Sequence, residues 1–217
     1  SPLVTIALYR FLLAVLHRAT EGPADIAEGT RFYKDGFPKK KVEAYLEKWH
    51  DRFDLFDAKH PFYQCPEIRD EKFLDEWQRL SSEGGNYNTN LLFNHRRRNR
   101  YTPYTSVCDC SCAARLMIQH AAFALDGMIR RFAFRQINSP LVDMAVILVS
   151  GVTLQATLAL NLVPYEPAPG DTPVWEREPF KRKFLDQKEA PSLPARGIAQ
   201  LYTWPSRAFL LQPDDNE

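Results

Sequence analysis

The stretch LLFNHRRRNRY, residues 91–101, places Arg96, Arg97, Arg98 and Arg100 beside Asn94, His95 and Asn99, directly behind Phe93. Guanidinium forks match phosphate oxygens bidentately, asparagine amides can read base edges, and an aromatic ring can stack on an unpaired base. The window from Gly84 to Cys108 holds no aspartate or glutamate, so nothing within it neutralises the cluster. Asn86, Asn88 and Asn90 precede it, and Tyr101 and Tyr104 follow. Such a local positive field suits a nucleic acid, and an acidic protein partner also fits it. A second basic stretch, Arg130, Arg131 and Arg135, comes just after Gly127 and is interleaved with aromatics in RRFAFR.

Two other groups carry possible chemistry. His50, Asp54, Asp57 and His60 fall within one aromatic-rich connector and offer the ligands of a metal-dependent hydrolase, although loop carboxylates beside a helix end also serve as caps. Cys108, Cys110 and Cys112 alternate in CDCSC, whereas a structural zinc site takes four ligands, usually as two CxxC-like pairs. The cluster is at most half a site, and no metal is assigned to it. His17 and His120 lie in apolar stretches, where a hydrogen-bonded core histidine is the expectation. The sequence contains no glycine-rich phosphate loop, no GxSxG and no HExxH, so neither catalytic residues nor a cofactor is expected.

These groups need a scaffold, and 217 residues with 45% hydrophobic and 25% charged side chains suffice for one large domain or two small ones. The formal charge is only +1, so any attraction for polyanions must come from local clustering. The apolar opening is interrupted by Arg10 and His17, and no run approaches ~18 uninterrupted apolar residues, which argues against a membrane segment. Four cysteines in a chain of this size do not make a disulfide framework, and a reducing cytoplasm is the expected compartment. The start at Ser1 and Pro2 and the stop after LLQPDDNE suggest a piece of a longer protein.

Hydrophobic spacing predicts a buried helix from Leu3 to Arg18, a connector from Thr20 to Phe37, and an amphipathic helix whose face is Val42, Tyr45, Leu46, Trp49 and Phe53. A packed aromatic loop over 54–64 and a short helix over 71–80 follow. CAARLMIQHAAFAL predicts a helix over 112–125, with Gly127 as its left-handed terminator. If that helix is ~20 Å long, the two basic stretches sit at its opposite ends or fold back along one side, a span of about the width of a duplex. MAVILVSG reads as a buried strand, the leucines at 154, 158 and 162 as a helix ended by Pro164, and 165–196 as an exposed, partly mobile excursion. A strand with a bulge or turn is expected around Trp204 and Pro205. The expected class is α+β, a predominantly helical globular domain with a few short strands.

Several segments in order, among them YLEKWHDRFDLFDAKHPFYQ, NTNLLFNH, LQATLALNLVP, DTPVWE and LYTWPSRAFLL, resemble the amino-terminal part of the CasA family, the large subunit of the type I-E CRISPR Cascade complex. The likeness runs through most of the chain. It implies a non-enzymatic subunit of an RNA-guided antiviral DNA surveillance complex that recognises the protospacer-adjacent motif on target double-stranded DNA. Guide RNA, the other Cascade subunits and the helicase-nuclease are the implied partners, and the family's carboxy-terminal helical bundle would lie beyond Glu217. By position, Phe93 would stack, while Asn94, Arg96, Arg97, Arg98, Asn99 and Arg100 would hold phosphates. Gly127 falls where the family places a glycine-rich loop against the minor groove. Here that loop has one glycine, and Arg130 and Arg131 would compensate through phosphate contact.

Overall fold

The computed structural model describes residues 1–69, 109–124, 138–179, 181 and 194–211, with the backbone of 127–129 and 134–136. Helix α1, Pro2–Thr20, runs through the centre of this structure. Its apolar surface extends nearly all round because three neighbours cover it: α3 (Lys39–Lys48), α4 (Cys110–Phe123) and the short α6 (Ile198–Tyr202). By length and mean hydropathy, 1.4 over its richest window, α1 could cross a membrane. Its packing instead makes it the core helix: Ala7 and Ala14 are buried, and the guanidinium of Arg10 donates to the Leu201 carbonyl at 2.8 Å.

The principal core joins Ala7, Ala14 and Val15 of α1 to Met117, Ile118 and Ala121 of α4, and both to Leu55, Phe62 and Trp175. Phe11 meets Trp175 at 5.1 Å and Phe62 at 5.9 Å between ring centroids, in edge-on arrangements favoured by the aromatic quadrupole. The aromatic connector is therefore packed through Phe62 and Tyr63, as its composition implied, whereas Phe56 is 50% exposed. Its backbone is satisfied internally and from the far end of the chain: Phe62 N donates to Asp54 O, and Cys65 N to Phe209 O. A second cluster packs Leu13 and Leu16 against Leu158 of α5, Leu154–Asn161.

Several sequence expectations are corrected. The connector over 20–37 contains a helix, α2 (Ile26–Asp35), capped by the Asp25 carboxylate accepting from Glu28 N at 2.8 Å; its glycine content hid that capping pattern. On α3, Val42 and Tyr45 pack inward but Leu46 is exposed; the helix stops at Lys48, and a 3-10 turn, His50–Phe53, turns Phe53 to the core. Residues 144–150 form no strand. Ile147 is 87% exposed, and the N–H and C=O of Val149 are bonded instead by the side-chain amide of Asn161. Gly151 is required there because a Cβ would meet Ala156 at 2.7 Å. Around Trp204 the chain forms α6 and then irregular backbone, not a strand. The described strands are β1 (Gly127–Ile129) and β2 (Phe134–Gln136), an antiparallel pair with Gly127 opposite Gln136. The helix expected over 71–80 lies outside the described residues.

The expected excursion is exposed over 166–170 but anchored at Tyr165 and over 171–176. Tyr165, Asp171 and Trp175 are buried, and the Glu176 carboxylate accepts from Arg18 Nε at 2.9 Å, Arg18 Nη2 at 2.7 Å and Tyr45 O–H at 2.6 Å. Burial disfavours the Arg18 cation, but the bonds to Glu176 and Tyr165 outweigh it and raise its pKa. Asp171 receives the backbone N–H groups of Ala199 and Gln200 and so caps α6.

His17 is fully buried, with Nδ1 2.9 Å from the Gly22 carbonyl and Nε2 without a partner among the described residues. Burial lowers its pKa below the ordinary 6.5, more than the Gly22 bond and Asp171 raise it, and burial with the Arg207 charge lowers that of His120. The unfolded chain therefore takes up protons first as pH falls. Stability should decline from about pH 7 downward until the folded-state pKa values are reached. The urea midpoint measured between pH 7.5 and 5.5 should show this, and His17→Gln should flatten it. An identical decline in the variant would remove His17 as a cause.

Candidate nucleic-acid interface

In the sequence the two basic stretches flank α4, the first before Asp109 and the second after Gly127. At its start, the Asp109 carboxylate accepts from Cys112 N at 2.7 Å, a side-chain cap set immediately after the acid-free window. Fourteen residues carry α4 about 21 Å to its far end. Gly127 does not terminate the helix in a left-handed conformation. Ala124 leaves it in an extended one, and Gly127 opens β1.

The far end of α4 is held by a motif that sequence reading valued only for its likeness. Ser206 Oγ donates to Ala121 O at 2.7 Å, Arg207 Nη2 donates to Ala124 O at 3.1 Å, and Ser139 N closes on Ala124 O at 2.8 Å. These donors satisfy carbonyls that a helix end leaves open, and the Arg207 cation faces the negative end of the helix dipole. Leu141 N also returns to Ala122 O at 3.0 Å, so the chain leaves α4 for the β1–β2 pair and comes back to the same turn. The pairing of Ile129 with Phe134 brackets residues 130–133, which include Arg130 and Arg131.

Of the residues expected to form the interface, Phe93, Asn94, Arg96, Arg97, Arg98, Asn99 and Arg100 lie outside the described residues, as do Arg130 and Arg131. Only the backbone of Gly127 is described.

The hydrolase group is not assembled. Asp54 Oδ1 accepts from Phe56 N at 2.8 Å, and Asp57 Oδ1 accepts from Lys59 N and His60 N at 2.9 and 2.6 Å, so both carboxylates close turns of their own loop. Those backbone bonds hold the Asp57 carboxyl below the usual carboxylate range. His60 turns to Glu178, 3.1 Å away, while His50 stays on the exposed surface beside Asp51. Among the described residues no three histidine, cysteine or acidic side chains converge as metal ligands. Cys110 and Cys112 stand two apart on the first turn of α4, a spacing that points side chains to different faces.

Sequence reading missed a cleft of about 370 Å³ between the aromatic connector, the turn after Trp175, and α6 with the segment after it. Its walls include Arg52, Arg177, Arg196 and Arg207. The arginines are scattered over more than 150 positions of sequence, so no linear cluster signalled them.

Comparison with known proteins agrees with this architecture. The family model for CRISPR-associated protein Cse1 matches residues 1–217. A CRISPR-associated protein CasA/Cse1 from Thermus thermophilus is 37% identical over 215 residues, covering 97% of this chain and 41% of that relative. The structure of Thermus thermophilus CasA (Cse1) superposes with a TM-score of 0.78 at 32% identity, over 100% of this chain and 44% of that one. Cse1 from Thermobifida fusca gives 0.71 at 28% identity, over 99% of this chain and 42% of that one. This chain thus spans about two fifths of the length of the relatives it matches.

Proposed function

The chain belongs to the CRISPR-associated protein Cse1 family, and from that premise we propose that it is the amino-terminal part of a Cascade subunit that binds nucleic acid. In this reading it contacts guide RNA, recognises the protospacer-adjacent motif on target duplex DNA and helps dock the helicase-nuclease. Guide pairing reads the long sequence, while protein groups read the short duplex motif at which unwinding begins. The chain acts by binding, and no bond is broken by its own residues.

The observation that carries the reading is that two acid-poor basic stretches flank, in the sequence, one buried and firmly capped helix. Phe93 stacks on a base, and Asn94, Arg96, Arg97, Arg98, Asn99 and Arg100 hold phosphates. On the other side, Gly127 belongs to an antiparallel pair rather than a glycine-rich loop. A two-stranded ribbon is itself a known way of presenting side chains to a DNA groove, with Arg130 and Arg131 as its phosphate contacts.

The test is assembly. Co-expressed with guide RNA and the remaining subunits, the tagged chain should elute with an RNA-containing complex at low salt. Elution of the chain alone, with the complex forming without it, would refute the proposal.

A further inference from the structure

We propose that the arginine-walled cleft is a second anion site, distinct from the loop after Phe93, and that it takes one phosphate-bearing nucleotide unit of a single strand. Its volume, about 370 Å³, lies at the small end of the range for ligand pockets. That space suits one nucleotide rather than a duplex. Among the described residues, four arginines line it against a single carboxylate, Glu178.

Glu178 is already committed, with Oε1 3.6 Å from Arg52 Nη2 and Oε2 3.1 Å from His60 Nε2. Arg207 donates to the carbonyls of Ser206 and Ala124. The remaining two arginines are differently placed. Arg177 uses Nε on Thr172 Oγ1 at 3.0 Å, which orients its fork, and Arg196 is exposed beside it. Among the described residues neither forms an ion pair. Burial disfavours the Arg177 cation, Asp171 offsets this in part, and the neighbouring Arg196 charge disfavours it again. A bound anion would relieve that crowding, because a planar fork meets two phosphate oxygens at once.

Trp204 also lines the cleft and is only partly buried. An aromatic ring and arginines lining one cleft are the combination by which proteins hold single-stranded nucleic acid without sequence preference. An acidic peptide would use the arginines but would leave the flat ring without a matching partner, so the nucleotide is the better-fitting occupant.

Fluorescence anisotropy of a labelled single-stranded tetranucleotide on the full chain reads this site. Arg196→Glu should weaken binding about tenfold or more and Trp204→Leu by a similar factor, while the distant Arg31→Gln leaves it unchanged. Inorganic pyrophosphate should displace the tetranucleotide from the unmodified protein, a readout that needs no variant. Repeating Arg196→Glu in an Arg96/Arg97/Arg98→Ala background separates the two sites: the same relative loss is expected even if the loop contributes nothing. Binding within twofold of the parent for both cleft variants would overturn the proposal, as would failure of pyrophosphate to compete. Tighter binding of a labelled acidic octapeptide than of the tetranucleotide would also overturn it.

Discussion

Glu176→Ala should cost about 3–5 kcal/mol of folding stability, the scale on which removing one partner of a buried ion pair leaves the other uncompensated. The Glu176 side chain is 5% exposed and that of Arg18 22%. Truncation would strand the Arg18 guanidinium and the Tyr45 hydroxyl together, and Tyr45 in turn accepts from Trp175 Nε1 at 2.8 Å. Burial and the Glu176 bond both raise the Tyr45 pKa, so its hydroxyl stays protonated and cannot take over the role of the anion. The loss reaches α1, α3 and the 3-10 turn Val174–Glu176 at once, since this carboxylate bridges all three. Urea denaturation followed by circular dichroism measures it. The double replacement of Arg18 and Glu176 by methionine should recover much of the loss, because the desolvation cost of both charges then disappears. A midpoint for Glu176→Ala corresponding to less than about 1 kcal/mol would mean that the pair is solvated and idle.

The helices were the legible part of the fold. α1, α3, α4 and α5 each carry an apolar spacing and a recognisable beginning or end, and the packed aromatic connector followed from aromatics that needed burial next to Pro61. Residues 144–150 show where local preference misleads. Their β-branched composition predicts a strand, yet a strand needs a ladder, and the groups bonded to Val149 are the Asn161 side chain. Within the stretch after Pro164, the anchored turn over 171–176 went unseen for the opposite reason. Its prolines and charges look solvated, but Glu176 and Asp171 are buried because each finds long-range partners that no local window reveals. The same holds for the site. A linear run of arginines behind Phe93 is visible in any reading of the sequence, whereas Arg52, Arg177, Arg196 and Arg207 meet only once the connector, the Trp175 turn and the chain after α6 have packed. Ser206 and Arg207 stand out in the sequence through likeness alone, and their work in closing the end of α4 is a three-dimensional fact.

Replacing Arg96, Arg97 and Arg98 together by alanine should have the largest effect on binding. Each forms a charge-assisted bond in the proposed interface, so the three losses should weaken duplex binding on the order of a hundredfold or more. Nothing acidic lies between Gly84 and Cys108 to mute the change. Since each neutralised phosphate releases condensed counterions, the effect also has a signature that misfolding cannot imitate. The slope of log affinity against log salt should become shallower by about 0.9 for each lost contact, close to about 2.7 for the triple variant. Thermal melts run alongside separate a loss of binding from a loss of folding, and they should coincide with those of the parent. The deciding measurement is that salt series, run from about 50 to 200 mM on the assembled complex with duplex carrying its target motif. A shallower slope with an unchanged melt is the predicted result, and a slope equal to that of the parent would contradict the assignment of these arginines to nucleic acid.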